Sequence, residues 1–155
     1  MLRSLRQLLS IAEKLVSLIF GKQYDEAAAF LCAQREDTSG DRVPRLSGLE
    51  EALQAEIRRL GTGSAAQRQI LAGCYMMADQ LREKQYWNEA ESVFDKVVEL
   101  SLAMNEEFFL NDARLRRAVC LKKLGKMREY EQVKAEVPGG TRIVIDGVDW
   151  RAEDL

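Results

Sequence analysis

Lys84-Gln85-Tyr86-Trp87-Asn88-Glu89-Ala90 joins two amphipathic patterns, and its reading decides the fold. Ile70, Cys74, Met77, Ala78 and Leu81 precede it; Ala90, Val93, Phe94, Val97 and Val98 follow it. Apolar residues three and four apart fall on one face of a helix, so each set predicts a helix. The link between them is short. The stretch Met77–Leu102 is therefore expected to fold back on itself as an antiparallel pair.

Beyond that pair, Asn105 is placed to cap a helix running to about Leu124. Gly125 stops it, and a shorter helix over roughly Met127–Val137 turns back. Pro138-Gly139-Gly140 ends the helical part. Arg142-Ile143-Val144-Ile145 is β-branched, Asp146-Gly147 favours a tight hairpin turn, and Val148-Asp149-Trp150 is a candidate return strand. Two strands alone are marginal in water. The tail is expected to lean on the last helices through Ile143, Ile145 and Trp150, with an unpaired extended tail as the alternative.

Towards the N-terminus, Ser64-x-x-Gln67 and Ser47-x-x-Glu50 are capping boxes. In each, the serine accepts from a free amide three residues on and the longer side chain reaches back. They open expected helices over about 65–84 and 47–60. Asp37-Thr38-Ser39-Gly40-Asp41 and Pro44 place a loop at 36–46. Leu2, Leu5, Leu9, Ala12, Val16 and Ile19 form one helical stripe, and Gly21 stops that helix. A second helix starts near Asp25 and carries Ala27, Ala28, Phe30 and Leu31. The run Leu18-Ile19-Phe20 is too short to span a membrane, so the first helix is expected to pack rather than to target or insert. Residues 1–137 are expected to form a single helical domain and 138–155 a tail packed on it.

Composition narrows the function. The chain has 155 residues, only two prolines and a formal charge of −2, so the whole molecule has no strong pull towards nucleic acid or acidic lipid. It has no histidine, which removes the commonest general base and metal ligand. Cys32, Cys74 and Cys120 lie far apart among apolar residues, without metal-site spacing. They read as buried thiols of a reducing, cytoplasmic setting. There is no P-loop, GxGxxG or GxSxG. Neither catalysis nor a cofactor or metal is expected.

Three junctions repeat. Lys22-Gln23-Tyr24-Asp25-Glu26-Ala27 matches Lys84-Gln85-Tyr86-Trp87-Asn88-Glu89-Ala90 apart from one inserted residue, and Gly125-Lys126-Met127-Arg128-Glu129-Tyr130 has the same character. Repetition of a helix–turn–helix unit marks a solenoid, in which each unit buries its face on its neighbours. At this point the chain resembles the tetratricopeptide repeat family, in degenerate form. Met77 and Ala78 stand at the family's first-helix positions, and Ala90, Phe94 and Val97 at those of the second. Cys74 replaces the usual tryptophan and Leu102 the usual proline. The resemblance implies an all-α fold of antiparallel helix pairs stacked as a short array, with a groove lined by the first helix of each pair. It also implies that the groove binds a segment of another protein.

The candidate partner-binding residues are Tyr75, Met76 and Asp79 on a first helix, and Arg114, Arg116, Arg117 and Lys123 in a basic run. From Arg114 to Arg128 that run holds seven bases and no acid. It reads either as a solvated helix face or as a patch for an acidic protein segment or RNA. No aromatic platform interleaves with it, which argues against RNA. The expected function is protein–protein interaction, as an adaptor or small chaperone. The alternatives are a structural subunit of a homo-oligomer and, more remotely, an RNA-binding helical protein.

Overall fold

The computed structural model describes residues 14, 15, 17, 18, 21–23, 25–27, 29, 30 and 64–155, and the chain divides into two compact units, 1–80 and 81–155. The expected loop at 36–46, the helix at 47–60, Cys32 and most of the first helix lie outside the described residues.

In the first unit, Lys14, Leu15, Ser17 and Leu18 are helical, Gly21 and Lys22 turn, and helix resumes at Asp25. The Gln23 amide donates to the Leu18 carbonyl at 2.8 Å and closes the turn. Leu15 and Ala27 are fully buried. Helix α1 (Ser64–Glu83) encloses Ile70, Leu71, Cys74, Met77 and Ala78 within this unit, and its last turn belongs to the second. Burial pushes the Cys74 thiol up to about 12, so it stays protonated and unreactive at neutral pH.

The second unit contains α2 (Trp87–Ala103), α3 (Leu110–Lys123), α4 (Met127–Ala135), the strands β1 (Arg142–Ile145) and β2 (Val148–Arg151), and a 3-10 turn at Ala152–Asp154. Helix α3 packs on both α2 and α4. Ala90, Val93, Phe94 and Val97 form a fully buried stripe on α2. Ala118, Leu121, Tyr130 and Val133 make the core shared by α3 and α4. Each large side chain so buried contributes about 1.5–3 kcal/mol. The fold is thus mostly helical, built of helix pairs, with a C-terminal hairpin. Among the described residues no helix is long and apolar enough to cross a membrane.

The helix ends share one geometry. Lys22, Gln85, Asn105 and Gly125 each follow a helix in the left-handed conformation, with φ of 59°, 64°, 54° and 75°. At Gln85, Asn105 and Gly125 the next amide donates back to Leu81, Ser101 and Leu121, which satisfies carbonyls the helix leaves open. Aligned on the left-handed residue, three junctions need no insertion. Glu26, Glu89 and Glu129 then coincide, followed by Ala27, Ala90 and Tyr130, all three buried. Their amides donate to Gln23, Tyr86 and Lys126 at 3.0, 2.9 and 3.0 Å.

Asn105 is a correction. It does not cap α3; it ends α2, and α3 begins only at Leu110, with Phe109 in the capping position. A left-handed residue cannot serve as an N-cap, whose backbone is normally extended. The last helix also stops early, at Ala135, because Glu136 and Val137 close a tighter turn back to Val133 and Lys134.

The tail pairs. Asp146 and Gly147, with φ of 52° and 81°, make the two-residue turn whose twist matches antiparallel strands. Ile143 faces Trp150 and Ile145 faces Val148 across the ladder, so these four share one side. Ile143 and Ile145 enter a core with Leu115, Val137 and Ala152, against which Val119 and Leu155 also pack. Trp150, expected as an anchor, is instead 37% exposed: β1 buries alternate residues, whereas all four residues of β2 are exposed. Ala152 and Leu155 anchor the tail's end in its place.

Candidate interaction surface

The basic run is divided by the fold. Its first half is spent inside the second unit. Arg117 turns to α2, where it meets Glu91 at 2.8 Å and Asp95 at 3.6 Å. Arg114 reaches Asn111 at 3.2 Å and Glu136 at 3.6 Å. Arg116, only 8% exposed, donates to Asp112 and to the Val144 carbonyl, both at 2.7 Å. The three guanidinium groups thus serve α2, the end of α4 and the hairpin respectively, and do not form one patch.

Arg116 has a counterpart that no local pattern in the sequence marks. Arg82, in the last turn of α1 and 4% exposed, holds the Asp146 carboxylate with two bonds of 3.1 and 3.2 Å. Those hydrogen bonds keep the Asp146 carboxyl below its ordinary value, against a small desolvation cost, with the charges of Arg82 and Arg116 adding to the effect. Two nearly buried guanidinium groups from α1 and α3 therefore fix the hairpin: one grips its turn, the other takes a β1 carbonyl. Arg142 and Asp149, 3.0 Å apart, cover the hairpin's outer face. At its far end Tyr130 donates to the Leu155 carbonyl, and Lys134 does so at 3.1 Å.

The second half of the run lies open. Lys122, Lys123, Lys126 and Arg128 are all exposed around the α3–α4 turn, with Met127 exposed among them. Lys123 lies 5.8 Å from the centre of the Trp87 ring, and Lys122 lies 5.6 Å from that of Tyr130. Lys122 and Lys123, in the last turn of α3, also suit the negative end of that helix.

Before the other end of α3, the last turn of α2 and the link that follows it carry two exposed apolar side chains, which define a corner. Phe108 is 72% exposed and Leu102 57% exposed. The Phe108 and Phe109 rings meet edge to face at 4.8 Å, and neither belongs to the deep core. The Phe108 amide is held by the Glu106 carboxylate at 3.3 Å. Glu99 and Glu107 are exposed beside the corner, Glu99 in contact with Lys96 at 3.0 Å. The adjacency of the two phenylalanines signals that both cannot point inward. What it does not signal is that a left-handed turn at Asn105 carries one of them out to solvent.

Tyr75, Met76 and Asp79 lie on α1 within the first unit. Met76 is exposed, and Tyr75 and Asp79 are half-buried. No group of three or more potential metal-ligating side chains gathers among the described residues. The chain matches no family model, no curated protein and no solved structure.

Proposed function

We propose that this chain is a protein–protein interaction module, an adaptor or small chaperone that holds a segment of a partner protein against its helices. The tetratricopeptide resemblance is part of the proposal, and the shared geometry of the junctions at Lys22, Gln85 and Gly125 supports it. The observation that carries the reading is the Leu102–Phe108 corner. Backbone bonds from Asn105 and Glu106 already close this turn, so folding does not require an exposed phenylalanine there. Covering such a ring on a partner is worth about 1.5–3 kcal/mol, the scale of a binding anchor. The internal partners of Arg114, Arg116 and Arg117 favour a protein over RNA, since the backbone of RNA would have to compete for those bases.

The test is co-purification of the tagged chain from its source, compared with Phe108→Ser. A partner retained by the parent chain should be lost from the variant while the thermal midpoint stays unchanged. Equal retention by both overturns the corner as the binding surface. Tyr75→Ala with Asp79→Arg addresses the α1 surface in the same way, and lost retention there would move the site to α1.

A further inference from the structure

We infer that the segment bound at the Leu102–Phe108 corner is the Lys122–Arg128 turn of a second copy of this chain, in a head-to-tail contact. This rests on reading the corner as an interaction surface. The two ends of α3 are complementary. One presents Phe108 and Leu102 beside Glu99 and Glu107; the other presents Met127 among Lys122, Lys123, Lys126 and Arg128. The unbranched thioether of Met127 adapts readily to an aromatic face, and the net charge around the two ends has opposite sign: the four bases outnumber the exposed Glu129 and Glu131 at the turn, and Glu99 and Glu107 outnumber Lys96 at the corner.

Helix α3 separates the two ends by about 21 Å, at 1.5 Å per residue, so one molecule cannot join its own corner to its own turn. Each molecule in a contact then keeps one unused corner or turn. Such a contact is heterologous: it closes into a ring or continues as a chain. Its charged part is screened by salt, because surface attractions fade beyond about 10 Å at 0.1 M ionic strength.

The experiment is light scattering on the full chain with variants that block one end each. Phe108→Glu blocks the corner, with Phe108→Ser as the second choice if the glutamate disturbs folding. Lys126→Glu with Arg128→Glu blocks the turn. The parent chain should gain mass with concentration and lose it as salt rises. Each variant alone should stay at monomer mass. A mixture of the two should double in mass to a one-to-one dimer, because each supplies the end the other lacks. A mixture that stays monomeric means a self-complementary contact or none, and overturns the inference. So does assembly by either variant alone, or a parent chain that is monomeric at every concentration at low salt. In that last case co-purification lost in Phe108→Ser would still uphold the corner as a surface for another protein. Retention unchanged in Phe108→Ser would reject the corner itself.

Discussion

Arg114, Arg116 and Arg117 belong to the same uninterrupted basic run as Lys122, Lys123, Lys126 and Arg128, yet the fold uses the two halves in opposite ways. The arginines come where α3 is covered by α2, the end of α4 and the hairpin, and each finds an acid or carbonyl there. The later bases come where α3 runs out and turns, and they stay exposed. Arginine suits the first role because its planar fork serves two acceptors at once, as Arg116 does with Asp112 and Val144. Lysine, a hydrated point charge on a long stem, suits the second. A run of like charge is therefore not one feature. Its meaning is set by what packs beside each turn of the helix.

The largest effect that would break this contrast is at Arg116. Replacement by Met keeps an unbranched apolar stem but removes the guanidinium, leaving the Asp112 carboxylate and the Val144 carbonyl without its donors. The hairpin should loosen, and urea unfolding should report a loss of about 2–3 kcal/mol, the scale of hydrogen bonds made by a charged group. A loss under about 0.5 kcal/mol would place Arg116 with the exposed bases instead.

The hairpin shows how much was legible beforehand. Helix periodicity, the stop at Gly125 and the Asp146-Gly147 turn are local, and the sequence states them directly. Ile143 and Ile145 were readable as anchors from alternation. Trp150 was not, because alternation marks which side of the ladder a residue takes but not that β2 stays exposed along its whole length. The Arg82–Asp146 pair joins residues 64 apart, and nothing near either one announces the other. Asn105 misleads for a related reason: asparagine suits both an N-cap and a left-handed helix end, and only the hydrogen bonds back into α2 decide between them. At the candidate site the basic run and the paired phenylalanines were visible. Which bases are enclosed and which ring is exposed were not.

Asp146 gives an intermediate effect with a definite pH sign. Its folded pKa lies below the ordinary carboxylate value of about 4. The ionised group therefore adds stability at pH values above that unfolded value, and the contribution is lost as pH falls through the folded pKa. Asp146→Asn should cost about 1 kcal/mol at neutral pH, because its partner Arg82 is nearly buried while the carboxylate itself remains open to competing water. Thermal unfolding across an acid series should show the two proteins converging below about pH 4. A gap that stays constant through that range would mean the pair's charge is not what holds the turn.

The smallest expected stability effect is at Lys126, and its smallness is the point. Lys126 is exposed and its amide, not its ammonium, supports the fold through a 2.9 Å bond to Leu121. Lys126→Glu keeps that backbone bond and the left-handed Gly125 before it, so stability should change by less than about 0.5 kcal/mol. Urea unfolding of this variant beside Arg116→Met measures the contrast between the two halves of the run directly. If Lys126→Glu were to cost as much as Arg116→Met, the turn would be part of the scaffold, and charge at the end of α3 would be needed for folding rather than available for binding.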